Sequence, residues 1–213
     1  MTEIHVVTAA NRHLYESVLD DYHRIRHDVF VKERGWKAVE RKDGRDIDAY
    51  DRGDTVHLIA IDGDRVVGGE RVTPTTSPHM LNEVFPALAA IKGVPIGPNI
   101  WEGSRYFVIR ERRVGRTDCM LLAALQEFAL DEGITHYSIV IETWWLPRLH
   151  DAGFVVRPLG LPTLIENQWA LAAVIEVRES SYDQVRALGG INGSVLVRKG
   201  PQVPLIPQVD HAT

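Results

Sequence analysis

Asn99-Ile100-Trp101-Glu102-Gly103-Ser104-Arg105-Tyr106-Phe107-Val108-Ile109 reads as a strand, rich in aromatic and β-branched residues. Residues 117–131 follow as a nearly all-apolar helix, carrying Met120, Leu121, Leu122, Leu125, Phe128 and Leu130. His136-Tyr137-Ser138-Ile139-Val140-Ile141 is then a buried strand. A strand, an apolar helix and a second buried strand in succession predict a parallel crossover unit.

Outward from this unit, residues 4–7 form a short strand. Asn11 is placed to cap a helix bearing Leu14, Val18, Tyr22, Ile25 and Val29, which ends near Gly35. Residues 56–61 and 65–72 are strand-like and flank Asp62-Gly63-Asp64, a hairpin signal that makes them an antiparallel pair. A short helix at 146–152, a late strand at 169–177 and a helix at 182–188 complete the pattern. The sum is an α/β fold, a mixed sheet sandwiched between helices. No repeat or linker divides the chain, so residues 1–213 are expected to form one domain with an irregular tail from about 200.

The chain's 213 residues, 45% hydrophobic and 25% charged, exclude a disordered or fibrous protein. A net charge of −5 argues against a nucleic-acid partner. The single cysteine, Cys119, forms no internal disulfide, lies in the apolar helix as an inert thiol, and fits a reducing cytoplasm. The first residues lack the basic start and apolar core of a secretory signal, and no window approaches the roughly 18 apolar residues of a membrane span. A cytoplasmic protein with no membrane partner is expected.

Three polar clusters stand out. Arg26, Phe30, Trp36, Asp46, Asp48 and Asp51 gather at the end of the first helix and in the loop after it. The acids would repel one another without neutralising cations, and Trp36 needs an apolar partner. Glu102 and Arg105 should point to opposite faces of their strand unless Gly103 marks a bulge. Arg112-Arg113-Val114-Gly115-Arg116-Thr117 is a basic turn entering a helix, suited to a phosphate. Taken singly, each cluster also reads as an ordinary charged surface, an edge-strand ion pair and a basic loop. His23 and His27 lie four apart, but no third ligand stands out, so no metal is expected.

In order, Arg26, Phe30, Trp36, Asp48, Asp51, Arg71 within Glu70-Arg71-Val72-Thr73-Pro74-Thr75, Phe85, Glu102 and Arg105 resemble the signature of the acyl-homoserine-lactone synthases. These are the LuxI-type autoinducer synthases, which make quorum-sensing signals and whose fold resembles the GNAT acetyltransferases. The resemblance covers roughly residues 4–160; the family has Glu where this chain has Asp46. It implies a GNAT-like α/β/α sandwich and an acyltransferase. The amine of S-adenosylmethionine attacks an acyl thioester, and the methionyl carboxylate then displaces methylthioadenosine and closes a lactone. S-adenosylmethionine and the thioester are substrates, so no cofactor is implied.

The resemblance assigns S-adenosylmethionine to Arg26, Phe30, Trp36, Asp48, Asp51 and Arg71, residues that supply cations, acids and aromatic faces. It makes Glu102 the base or orienter of the amine, with Arg105 expected as its ionic partner. An α-amine is already about a tenth neutral at pH 7, so little base strength is required. By analogy with the GNAT fold, the backbone near Phe107 and Val108 polarises the thioester carbonyl. Arg112, Arg113, Gly115 and Arg116 are expected at the phosphates of coenzyme A or against an acyl carrier protein. Ile141-Glu142-Thr143-Trp144-Trp145-Leu146-Pro147 resembles the subgroup that takes branched or aryl acyl groups from coenzyme A. Phe85, Thr143, Trp144 and Trp145 are therefore expected at the acyl pocket, where bulky rings favour short or planar groups. An N-acyltransferase acting on another amine, or a non-catalytic ligand sensor, are the alternatives.

Overall fold

In the computed structural model, residues 2–113 and 115–206 are described. The strands are β1 (Thr2–Val7), β2 (Val56–Asp62), β3 (Arg65–Pro74), β4 (Ile100–Val108), β5 (His136–Glu142), β6 (Val155–Pro158), β7 (Thr163–Ile165), β8 (Gln168–Glu176) and β9 (Leu196–Val197). The helices are α1 (Glu16–His27), α2 (Met80–Glu83), α3 (Arg116–Glu132), α4 (Trp145–Asp151) and α5 (Glu179–Gly189). They form one mixed sheet in the order β6-β8-β5-β4-β3-β2-β1-β9, with β7 paired to β8. The predicted crossover is present: β4 and β5 are parallel and joined through α3. Asp62 pairs with Arg65 across the predicted hairpin, and Gly63 takes the left-handed backbone (φ 67°) that the tight turn demands.

Two adjacent glycines let helices approach both faces of the sheet. A Cβ on Gly68 would lie 2.9 Å from Leu121 of α3, and one on Gly69 would lie 2.6 Å from Tyr22 of α1. Successive strand residues point to opposite faces. Helix α1 therefore covers one face while α3 and α5 cover the other. The core includes Ile4, Leu58, Phe107, Leu121, Phe128 and Tyr137, all fully buried.

Asn11 does not cap the first helix. Its side chain accepts from the Thr8 N–H (2.8 Å) and donates to the Val6 and Lys199 carbonyls (both 2.9 Å), tying the end of β1 to the far end of the chain. A helical run does continue toward Gly35, but from Asp28 to Glu33 it widens into a π-helix, a distortion common at functional sites. Residues 200–206 carry no helix or strand; the rest of the expected irregular tail lies outside the described residues.

Two departures from regular pairing create the site. Gly69 pairs with Phe107 and Arg71 with Ser104, so Glu70 alone faces Arg105 and Tyr106. The bulge expected at Gly103 thus sits at Arg105, which adopts φ 57°. Strands β4 and β5 pair only from Ile100 and His136 as far as Gly103 and Ile139. Beyond that point they part, β4 staying with β3 and β5 with β8.

Candidate active site

On the α1 face, three arginines and three aspartates interlock. Asp46, fully buried, accepts from Arg26 Nε (3.1 Å) and Arg105 Nε (2.8 Å). Asp48 accepts from Arg71 (2.5 Å) on one oxygen and from Arg105 (2.9 Å) on the other. Asp51 takes two bonds from Arg26 (2.8 and 3.3 Å) and lies 3.1 Å from Arg71. The bulge makes this possible: without it, Arg105 would project toward α3. Burial pushes the Asp51 carboxyl up, but the guanidinium groups of Arg26 and Arg71 outweigh it and hold the group well below the usual carboxylate range. The three acids of the loop are thus neutralised by cations from α1, β3 and β4.

Phe30 and Trp36 stack at 4.8 Å, with Arg34 over both rings and Arg105 over Phe30 (5.6 Å). The π-turn sets this pair, because the Trp36 N–H returns to the Phe30 carbonyl at 2.9 Å. The chain therefore places Arg26, Phe30, Trp36, Asp48, Asp51, Arg71 and Arg105 together.

Glu102 does not pair with Arg105. Its carboxylate accepts from the backbone N–H groups of Met80 (3.2 Å) and Leu81 (2.9 Å), so it anchors the start of α2. Burial raises its pKa, and the Leu81 amide partly offsets this. Arg105 is instead committed to Asp46 and Asp48, for which two acids in a charged loop were available.

Met80 links the two groups: its backbone contacts Glu102 while its sulfur lies 3.2 Å from Arg71 and 3.5 Å from Arg105. Arg71 also donates to the Ser104 hydroxyl (3.0 Å). Neither Met80 nor Ser104 carried a sequence signal.

Where β4 and β5 part, a cavity of about 80 Å³ opens on the α3 face. Leu122 and Leu125 of α3, Ile139 and Ile141 of β5, and Trp145 and Leu149 of α4 wall it, with Gly103, Tyr106 and Glu70 on the sheet side. Trp145 meets Tyr106 edge-on (5.2 Å), Tyr106 donates to Asp118 (2.7 Å), and Asp118 pairs with Arg148 on the same helix as Trp145. Trp144 stacks on the outside of Trp145 (4.9 Å) and is 56% exposed. Thr143 donates its N–H to the Trp169 carbonyl (2.8 Å) outside the lining, and Phe85 packs in a separate cluster with Leu81, Leu88 and Ala172.

The basic turn is dispersed. Arg113 pairs with Glu33 and donates to the Val108 carbonyl (2.9 Å), whereas Arg112 pairs with Asp62. Arg112, Arg116 and Thr117 line a second groove of about 640 Å³. Gly115 precedes α3 with φ 138°, and Val114 lies outside the described residues. Phe107 and Val108 pair with Gly69 and Gly68, so the interrupted part of the ladder lies just before them, at Arg105 and Tyr106.

Among the described residues, one group has metal-ligand chemistry: atoms of His23, Asp51 and His57 lie within 4.8 Å of one another. It does not include His27. Asp51 is already held by two guanidinium groups, which a dication would have to face.

The autoinducer synthase profile matches residues 10–185. The chain belongs to the autoinducer synthase family. The synthase is 52% identical over 207 residues to the isovaleryl-homoserine lactone synthase of Bradyrhizobium diazoefficiens, covering 97% of this chain and 94% of that one. Its fold matches the solved structure of BjaI, a coenzyme A-dependent acyl-homoserine lactone synthase with S-adenosylmethionine and isopentyl-coenzyme A, at a TM-score of 0.94. That match has 52% identity and covers 97% of both chains. A Lactobacillus plantarum protein described as an N-acetyltransferase shares the fold alone, at 18% identity and a TM-score of 0.55, over 83% of this synthase and 99% of that chain. The expected α/β sandwich and the acyltransferase class both hold. No helix among the described residues of the synthase is long and apolar enough to cross a membrane.

Proposed function

We propose that this synthase transfers a short branched acyl group from coenzyme A to the amine of S-adenosylmethionine, then closes the homoserine lactone with release of methylthioadenosine, in the cytoplasm. The likeness to the isovaleryl-homoserine lactone synthase along nearly the whole chain carries this reading. The small, largely apolar cavity at the parting of β4 and β5 supports it, having room for only a handful of methyl-sized groups.

S-adenosylmethionine brings a carboxylate, an ammonium and a sulfonium to the arginine–aspartate lattice. Because the lattice is self-neutralised, the ligand binds by partner exchange. Its carboxylate takes up a guanidinium face of Arg26 or Arg71, and its cations take the carboxylate oxygens so released. Asp48 is the most exposed of the three acids, with 22% of its side chain accessible, and is the natural first contact. Phe30 and Trp36 offer an aromatic face to the adenine or the sulfonium.

Glu102 acts as an orienter, since both its oxygens already hold backbone amides and the amine needs little help to lose its proton. The amine nitrogen bonds to the thioester carbon, the thiol of coenzyme A leaves, and the backbone around the bulge polarises the carbonyl. The methionyl carboxylate then displaces neutral methylthioadenosine, a step that requires no acid and gains mainly from positioning. Arg112, Arg113, Arg116 and the backbone at Gly115 receive the coenzyme A phosphates, with Arg113 first leaving Glu33.

Mass spectrometry of reactions with S-adenosylmethionine and isovaleryl-, cinnamoyl-, coumaroyl-, hexanoyl- and octanoyl-coenzyme A, beside the matching acyl carrier protein conjugates, tests the reading. Lactone and methylthioadenosine from the branched coenzyme A thioester are expected. Product from carrier-protein conjugates alone would overturn the donor assignment.

A further inference from the structure

We propose that Glu70 is a specificity-determining residue of the acyl cavity: it presents a hydrogen-bonding carboxyl to the acyl group and favours short acyl groups that carry an oxygen beyond the thioester. The inference rests on the reading that this cavity receives the acyl group.

Glu70 stands on β3 opposite the Arg105–Tyr106 bulge. Strand alternation sends it to the α3 face while its neighbour Arg71 joins the lattice on the α1 face. It is 3% exposed and lines the cavity. Its Oε1 would lie 3.1 Å from a Cβ on Gly103, so the absence of a side chain there makes its room. Its Oε2 has no hydrogen-bond partner among the described residues.

The two hydroxyls around the cavity are committed, while Arg34 and Glu142 meet only as an ion pair beyond hydrogen-bond distance. The Tyr106 hydroxyl donates to Asp118, the Ser104 hydroxyl accepts from Arg71 on the far face, and Arg34 and Glu142 face each other at 3.8 Å. Burial pushes the Glu70 pKa up to about 8, so near pH 7 it is mostly the neutral acid, offering one O–H donor and a carbonyl acceptor. A hydrocarbon acyl group would leave both without a partner in a desolvated wall, whereas a hydroxyl or keto oxygen would satisfy them.

The test compares kcat/KM for 3-hydroxy-3-methylbutyryl-coenzyme A and isovaleryl-coenzyme A, following methylthioadenosine, in wild type, Glu70→Gln and Glu70→Leu. Wild type is expected to favour the hydroxylated donor, Glu70→Gln to keep that preference, and Glu70→Leu to lower the ratio at least tenfold. Because a ratio is read, a general loss of folded enzyme cancels. A wild-type preference for isovaleryl-coenzyme A would overturn the proposal without any variant folding, and so would a ratio within twofold of wild type in Glu70→Leu. Either result would leave the synthase reading standing, since methylthioadenosine would still form. Its absence with every donor would overturn both.

Discussion

Arg105 closes on Asp46 through two nitrogens, Nε at 2.8 Å and a terminal nitrogen at 3.5 Å, from a residue whose φ is 57°. The pair is buried at both ends, and Asp46 has Arg26 as its other partner. Removing the guanidinium leaves an under-compensated carboxylate inside the lattice, and breaking such a pair costs about 3 kcal/mol. Arg105→Ala is expected to melt earlier and to release methylthioadenosine at least tenfold more slowly. A variant with wild-type rate and melting temperature would remove Arg105 from the site.

Glu102 meets two backbone amides, so Glu102→Gln must turn an N–H₂ toward one donor and disturb the start of α2. Acyl transfer is expected to slow at least tenfold. For an orienting residue, that deficit stays constant between about pH 6.5 and 9, since deprotonating the amine does not restore its aim. Alkaline rescue, read by single-turnover methylthioadenosine release, would instead mark Glu102 as the base.

Trp145 walls the cavity and Trp144 covers its outer face. Trp145→Ala should admit hexanoyl- and octanoyl-coenzyme A, each added methylene in contact improving kcat/KM by about fourfold. Trp144→Ala should leave chain preference unchanged. Unchanged preference in both variants would dissociate the cavity from acyl choice.

Glu70 makes stability depend on pH. Its folded pKa of about 8 lies above the ordinary 4.5, so the folded chain keeps a proton that the unfolded chain releases. The associated stability is whole below pH 4.5 and is lost progressively as pH rises toward 8. Glu70→Gln removes this loss: it should match wild type near pH 4.5 and exceed it by up to about 3 kcal/mol at pH 7 in urea unfolding. An equal difference at both pH values would contradict the burial argument.

The crossover unit and the hairpin were legible because apolar periodicity and turn chemistry are local. The site was legible as a set of residue types, not as a set of contacts. Gly103 drew the bulge because glycine tolerates such backbone, yet the left-handed residue is Arg105, held there by bonds to Asp46 and Asp48 from a distant loop. No local pattern encodes that partnership. Glu102 and Arg105 looked like partners because they are neighbours, but the former is satisfied by the amides of Met80 and Leu81, 22 and 21 residues earlier at the start of α2. Glu70 had no local signal: in Val66-Val67-Gly68-Gly69-Glu70-Arg71-Val72 it stands beside a second charged residue, and only the structure shows the two on opposite, buried faces.

Arg105 and Glu70 meet at the same bulge yet serve opposite faces of the sheet. On the proposed reading, the amine acceptor is held on one side and the acyl donor on the other, meeting where β4 and β5 part. On that reading, exchanging residues on α3, α4 and β5 would change the acyl half of the signal and leave the ionic chemistry that holds the acceptor untouched. The dialect is separable from the grammar.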